Sequence, residues 1–338
     1  MLFRSGESEQ GSRIAIIMNG SPLYTGDAGS GESEIRRFVI ENDLLEAIVK
    51  IPEQLFYSTG ISTYIWLLSN NKNSLREGKI QLINAASFYN KMKKSLINKR
   101  NELSKEDINQ ISMIYAEFKE GQNCKIFDNE DFGYRKIVIE RPLRLSFSAQ
   151  KHKINQLYNQ AAFINIALCK KKGEAGLLQV KEGIYLQDEI IKGLNDIGNT
   201  VYKNREEFTK IVKKAFNDKE IALSGAVLKS ILSVLSEKDE TADICVDNKG
   251  YPEADTDLTD TENVPLKEDI YKYFEREVKP HVPDAWIDES KRMIGYEIAF
   301  DRQFDKCTPL RVRGSKEIML EIKELEERIG ADLKKVLG

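Results

Sequence analysis

Apolar positions along the 338 residues fall into blocks of different period. Arg13-Ile14-Ala15-Ile16-Ile17-Met18 is nearly continuous and ends on the turn formers Asn19-Gly20-Ser21-Pro22, which predicts a buried strand. A glycine-rich loop, Gly26 to Gly31, follows. Residues 32–41 then carry Ile35, Phe38 and Val39 at helical spacing, which predicts a helix with that face inward and a stop at Asn42. Residues 44–51 alternate and end at Pro52. After a loop over 53–60, residues 61–68 are rich in β-formers and run into Asn70-Asn71. The order strand, helix, strand, strand predicts parallel first and second strands, and the short second connection permits an antiparallel third. One more strand is predicted at 79–84.

Farther along, Ser104 with Asp107 three residues on predicts a capped helix whose stripe is Ile108, Ile111, Tyr115 and Phe118. Residues 151–235 read as mostly helical, without clear chemistry. Residues 236–263 hold ten acidic side chains against Lys238 and Lys249, with few large apolar groups, the pattern of a solvated linker. Ile270, Phe274 and Val278 recur every four residues until Pro280, which predicts a helix over 267–278. A last helix, about 315–337, presents Ile318, Ile322, Leu325, Ile329 and Leu333 as a seam suited to another helix. No repeat of fixed period is found.

Composition narrows the function classes. With 41% hydrophobic and 31% charged residues, the chain is ordinary globular protein, large enough for two or three domains. A net charge of −3 leaves nucleic-acid binding to a local basic face. No apolar run approaches ~20 residues, so no membrane partner is expected. The opening Met1 to Glu7 also lacks the apolar core of a leader. Cys124, Cys169, Cys245 and Cys307 are too far apart for a zinc site and fit a reducing cytoplasm, so no metal is expected. His152 and His281 lie in no nucleophile signature, which removes most hydrolase readings.

Two further features look like chemistry and are better read otherwise. The Gly26 to Gly31 loop lacks the Lys-Ser/Thr of a P-loop, and Glu32 and Glu34 would repel an anion there, so it reads as a surface loop. Asp255, Asp257 and Asp260 lack the glycine and the closing Glu of a calcium loop and read as part of the acidic stretch.

The loop Leu55-Phe56-Tyr57-Ser58-Thr59-Gly60 joins two strands at a sheet end, where loops carry function on a rigid support. Adjacent rings followed by small polar groups suit an extruded base. The alternative, favoured by spacing alone, is that Phe56 and Tyr57 cap the core. Residues 91–105 are basic, with Lys91, Lys93, Lys94, Lys99, Arg100 and Lys105 against Glu102. They either track phosphates or form a solvated helix face.

The ordered segments Gly11 to Tyr24, Glu34 to Asn42, Leu55 to Thr63, Lys99 to Ser104, Phe132 to Lys136 and Glu140 to Leu145 resemble the modification (M) subunit of type I restriction–modification systems. Val278 to Trp286, Ile294 to Ile298 and the terminal helix continue the likeness. The resemblance implies an α/β plus α architecture: a partial Rossmann-like methyltransferase sheet (strands five to seven) followed by mainly helical regions. Arg13 to Met18 would be the fifth strand, Leu44 to Ile51 the sixth, and Ile61 to Leu68 a reversed seventh between them. It also implies adenine-N6 DNA methylation with S-adenosylmethionine. Phe56 would match the aromatic position set against the flipped base, with Tyr57 its neighbour and Thr59 and Gly60 beside them in target-base contact. From charge alone, Lys93, Lys94, Lys99 and Arg100 are the candidates for DNA-backbone contact.

The family's glycine-rich cofactor loop and its Asn/Asp-Pro-Pro-Tyr/Phe tetrapeptide are missing, since the chain has no Pro-Pro pair. No catalytic and no cofactor-binding residue is therefore assigned, and the chain is expected to be a C-terminal part of such a subunit, inactive alone. The domains expected are 1–85 (the half sheet), 86–150 (basic, helical and extended), 151–235 (helical), 236–263 (acidic linker) and 264–338 (helical, for assembly). Expected partners are DNA, the specificity (S) subunit, the restriction (R) subunit and a separate N-terminal methyltransferase piece, all in the cytoplasm. The first strand is expected to be an exposed apolar edge that pairs with that piece, self-associates or is covered by a helix. Two other readings are a non-catalytic DNA-binding or scaffold remnant and an unrelated α/β enzyme with a small-molecule pocket within 1–85.

Overall fold

The computed structural model describes residues 11–169, 172–304 and 314–337. The opening residues read above for a leader, Cys307 and the Leu333 side chain lie outside the described set. The chain divides into two compact units, Met1–Phe132 with Tyr296–Gly338, and Gly133–Gly295.

The first unit is built on a five-stranded sheet of order β1-β3-β2-β4-β7. Its elements are β1 (Arg13–Asn19), the single turn α1 (Ser21–Tyr24), α2 (Gly31–Glu41), β2 (Leu45–Ile51), β3 (Thr63–Ser69), β4 (Lys79–Asn84), a separate two-stranded hairpin β5 (Asn90–Leu96) and β6 (Lys99–Glu102), α3 (Lys105–Glu117) and β7 (Cys124–Asp128). β3 lies between β1 and β2 and is antiparallel to both, with Ile16 opposite Trp66 and Val49 opposite Ile65. β2 and β4 are parallel. The reversed third strand permitted by the sequence is thus present.

Burial follows position in the sheet. β2, expected to alternate, is buried at every residue except half-exposed Lys50, because it is the central strand and both its faces are covered. Its buried Glu46 meets Arg13 at 3.2 Å and Arg76 at 3.6 Å. β1 alternates between exposed and half-buried, with Ile17 54% exposed. Among the described residues it pairs only with β3, so it is a sheet edge.

Helix α2 corrects the sequence reading. Its buried residues are Ser33, Arg36 and Ile40, whereas Ile35 and Phe38 are 67% and 56% exposed. Arg36 is the reason. Its guanidinium donates to the carbonyls of Tyr296 (2.5 Å), Thr25 (2.7 Å), Pro22 (3.1 Å) and Gly26 (3.2 Å). Four charge-assisted bonds in one place fix which side of the helix faces inward. The expected apolar face is left beside a groove of about 520 Å³ whose walls include Ile16, Met18, Ile35, Val39, Trp66 and Leu68. α3 keeps its expected capping box, with Ser104 and Asp107 bonded reciprocally. Ile111 and Tyr115 pack on the core under the sheet, but Ile108 is 50% exposed.

The second unit contains β8 (Gly133–Glu140), β9 (Leu145–Phe147), the short helices α4 (Lys151–Ile154) and α5 (Ala161–Ile164), the longer α6 (Glu174–Ile197), α7 (Arg205–Asn217) and α8 (Gly225–Leu235), then β10 (Ser236–Lys238), β11 (Asp260–Pro265), α9 (Ile270–Tyr273) and β12 (Trp286–Tyr296), of which Tyr296 falls in the first unit. Helices do fill 151–235, around Phe147, Phe163, Phe208, Phe216 and Ile231.

The acidic stretch is not a solvated linker. β10 pairs with β9 and β11 with β8, and Lys238 bridges Asp255 and Asp257 at 2.6 Å each. Glu237, Glu240 and Glu253 pair with Lys153, Arg141 and Arg205 from elsewhere in the unit, and the backbone supplies strand pairing, so few apolar side chains are needed. Ile270, Phe274 and Val278 are buried together as expected, though the helix becomes a π-type turn over Phe274–Val278. The region 264–338 also holds the eleven-residue strand β12, a departure from the all-helical expectation. Finally α10 (Phe300–Phe304) and α11 (Ser315–Leu337) close the chain. Ile318, Ile322, Leu325 and Ile329 of the α11 seam are all exposed.

Candidate nucleic-acid interface

The basic stretch folds as the β5–β6 hairpin, so the helix-face alternative is corrected: Asn90 pairs with Glu102, Lys91 with Asn101 and Leu96 with Lys99. Lys91, Lys93, Lys94 and Arg100 are exposed and Lys99 is half-buried. Strand periodicity makes this possible despite the charge, because β5 is exposed at every residue except half-buried Met92 and needs no apolar face.

The hairpin is bonded to the aromatic loop. The Gln54 carbonyl accepts from the backbone N–H groups of Arg100 (2.9 Å) and Asn101 (3.2 Å), and the Asn101 amide donates to the Glu53 carbonyl at 2.9 Å. Gln54 adopts a left-handed φ of 59° to make this turn. At the far end of the loop the Asn98 N–H donates to the Tyr57 carbonyl at 3.4 Å. Ser62 Oγ donates to Glu53 Oε1 at 3.0 Å and closes the loop's neck. Asn101 is 7% exposed; its place between the two segments could not be inferred from its neighbours in sequence, since its partner is 48 residues away.

The expected ring pair separates into two roles. Phe56 is half-buried and packs on the core of Val49, Ile51, Leu55, Ile83 and Ala85, so the core-cap alternative describes Phe56. Tyr57 is 54% exposed, and Lys99 Nζ lies 5.3 Å from its ring centroid. Thr59 Oγ1 accepts from the Ile61 N–H at 3.3 Å, and a side chain at Gly60 would meet only Gln54, at 3.8 Å. Tyr57, Lys99, Thr59 and Gly60 therefore share one surface. Among the described residues none of Lys91, Lys93, Lys94, Lys99 or Arg100 forms an ion pair.

Among the described residues no group of His, Cys, Asp and Glu has metal-site geometry. Burial pushes the Cys124 and Cys245 thiols above their ordinary range, so neither is a ready nucleophile. The Gly26 to Gly31 loop is closed on itself: a Cβ at Gly26 would lie 2.3 Å from Ser30 Oγ, and Arg36 holds the Thr25 and Gly26 carbonyls. It therefore does not fit as a seat for S-adenosylmethionine, and no methyl-transfer step is derived from these residues. No helix among the described residues is long and apolar enough to cross a membrane.

The loop that carries the exposed Tyr57 ring is thus hydrogen-bonded to the basic hairpin. The family model described as N-6 DNA Methylase matches residues 3–142. The relatives are more particular. The type I restriction enzyme MjaVIII methylase subunit of Methanocaldococcus jannaschii is 37% identical over 120 residues, which covers 35% of this chain and 20% of the relative. The HindI methylase subunit of Haemophilus influenzae is 37% identical over 78 residues, covering 23% and 16%. The resemblance to type I modification subunits thus holds for the first part of the chain, which spans about a fifth of the length of those relatives. A solved type I methyltransferase subunit from Streptococcus thermophilus aligns over 36% of this chain and 24% of its own, with 20% identity and a TM-score of 0.31.

Proposed function

We propose that this chain supplies the DNA-facing part of a type I modification subunit, an adenine-N6 DNA methyltransferase that uses S-adenosylmethionine once another segment or chain provides the donor's seat. The observation that carries the reading is the placement of the Tyr57 loop and the basic hairpin on one surface at the end of a sheet whose β3 runs antiparallel between β1 and β2. In this assignment β1, β2 and β3 are the fifth, sixth and seventh strands of the methyltransferase sheet. Tyr57, with Thr59 and Gly60 beside it and Phe56 bracing it from below, faces the target adenine. Base–aromatic stacking of roughly 1–3 kcal/mol offsets part of the cost of extruding a base. Lys93, Lys94, Lys99 and Arg100 contact backbone phosphates.

The groove between α2 and the sheet supports completion by a separate N-terminal piece. It exposes Ile35, leaves the buried Trp66 Nε1 without a partner, and lies against the unpaired edge β1. The exposed seam of α11 supports docking on a specificity subunit, and the same reading includes the restriction subunit and a cytoplasmic site of action.

Two measurements test this. Titrating labelled S-adenosylmethionine into the chain alone should show no stoichiometric binding; tight binding would overturn the split-site reading. Affinity for duplex DNA should fall steeply with salt, and replacing Lys93, Lys94, Lys99 and Arg100 by Ala should reduce the log–log salt slope by about 3–4, at ~0.9 per phosphate contact. An unchanged slope would remove the hairpin from the DNA. Methyl incorporation on adding a chain that carries the cofactor loop and the Pro-Pro tetrapeptide separates a working half from a non-catalytic remnant.

A further inference from the structure

We propose that the tip of the β5–β6 hairpin is a wedge: Ile97 enters the base stack of duplex DNA beside the nucleotide presented to Tyr57. This rests on the nucleic-acid reading above and adds to it a residue that acts on the stack itself.

The first observation is that folding alone does not account for Ile97. It is 81% exposed, neighbouring Leu96 is 44% exposed, and Ile97 adopts a φ of +56°. Leu96 pairs with Lys99, so Ile97 and Asn98 are the central residues of a tight turn. A left-handed φ at the first central position is normally given to glycine, and for a β-branched side chain it is strained. The hairpin therefore carries a costly residue that buries nothing within the described structure.

The second is the company the tip keeps. Lys93, Lys94 and Arg100 are exposed on the same hairpin, and Lys99 lies over the Tyr57 ring. A partner that accepts an apolar tip within a ring of cations must be anionic outside and apolar within. Stacked bases between two phosphate backbones have that arrangement, and proteins that kink duplexes insert Ile, Leu or Phe between base steps. The hairpin also lies inside the residues matched by the N-6 DNA Methylase family.

The third is coupling. The N–H of Asn98, next to Ile97, donates to the Tyr57 carbonyl at 3.4 Å, and the Arg100 and Asn101 N–H groups hold Gln54. The tip and the stacking ring are thus parts of one hydrogen-bonded body. A base displaced by Ile97 is released next to the ring that receives it.

The test uses the full chain and a duplex with 2-aminopurine at a mismatch, where unpairing costs least. Wild-type protein at low salt should raise the fluorescence several-fold as it binds. Ile97→Gly and Ile97→Asn, both suited to the turn, should unfold at the same or a higher temperature. They should abolish most of the fluorescence rise and weaken binding only about three- to tenfold, since phosphate contacts supply most of the affinity. A full rise with Ile97→Gly would overturn the wedge and leave the nucleic-acid reading standing. If the wild-type chain showed no salt-sensitive duplex binding, both would fall. If instead it bound phosphatidylserine vesicles but not DNA, and Ile97→Gly released it, the tip would face a membrane and the proposal would be overturned.

Discussion

Arg36 shows what one side chain can decide. It is 2% exposed and donates to carbonyls from the α1 turn, from the loop before α2 and from Tyr296. Replacing it leaves the buried Tyr296 carbonyl unpaired, at about 1–3 kcal/mol, and removes the donor from the less buried carbonyls of Pro22, Thr25 and Gly26. Arg36→Ala should therefore destabilise the first unit by roughly 3 kcal/mol or more, read as a lowered urea midpoint for that unit's transition. Arg36→Lys should recover only part of this, because an ammonium cannot span the same carbonyls.

Tyr296 is a second such residue. Burial, reinforced by the nearby Glu41 carboxylate that accepts its hydroxyl at 3.1 Å, pushes its phenol up to about 12. An unfolded tyrosine titrates near ~10. Because the folded value is the higher, the contribution is complete below about pH 10 and is lost as pH rises from there through 12. Wild type should lose on the order of 2 kcal/mol more than Tyr296→Phe across that interval, since each pKa unit is worth about 1.4 kcal/mol. Parallel stability curves for the two proteins over this range would contradict the role assigned to Tyr296. At the candidate site, Phe56 and Tyr57 are neighbours with different fates, one against the core and one in solvent. Both lie within the loop between β2 and β3, where no strand or helix period assigns faces, so an aromatic pair was legible in the sequence while its division of labour was not.

Among elements, helices α6 and α8 make a paired test. Gly183 in α6 has no room: a Cβ there would lie 2.3 Å from the Ile166 carbonyl oxygen. Gly225 opens α8 with nothing within 4 Å. Gly183→Ala should destabilise the second unit by about 1–3 kcal/mol through backbone displacement, whereas Gly225→Ala should stabilise it by up to ~1 kcal/mol. Equilibrium denaturation of both variants reads the opposite signs.

The β5–β6 hairpin and the acidic stretch share a lesson at this scale. Both are rich in charge, and neither was assigned as a strand: the first was read as phosphate-tracking or a solvated helix face within a helical and extended region, the second as a linker. Periodicity detects an element only through its buried face, and neither a hairpin bonded to a loop nor the short strands β10 and β11 have much apolar face to display. By contrast β2, β3, β4 and α3 carry strong apolar or capping signals and appear where the sequence places them, within a residue or two.

For the whole molecule, the consequential feature is the open edge of the first sheet. β1 has one neighbour among the described residues, and the groove beside α2 is lined mainly by apolar groups. Amide hydrogen exchange on the chain alone should find Ile14 to Met18 alternately protected and exchanging, with Ala47, Ile48 and Val49 of central β2 uniformly protected. Uniform protection of β1 would mean that the edge is covered in solution. Adding the proposed N-terminal piece should convert the first pattern into the second.

What the amino-acid order determined by itself was local: the strands β2, β3 and β4, the Ser104 capping box, and the buried trio Ile270, Phe274 and Val278. These are read from neighbours in sequence, over which hydrophobic period and capping act. The tertiary structure alone decided which face of α2 turns inward, that the stretch 236–263 pairs with β8 and β9, and that Lys99 of the hairpin meets Tyr57. Each of those outcomes depends on a partner tens to hundreds of residues away, as Arg36 depends on Tyr296. No local pattern encodes a hydrogen bond across that span; only the packed chain brings its two ends together.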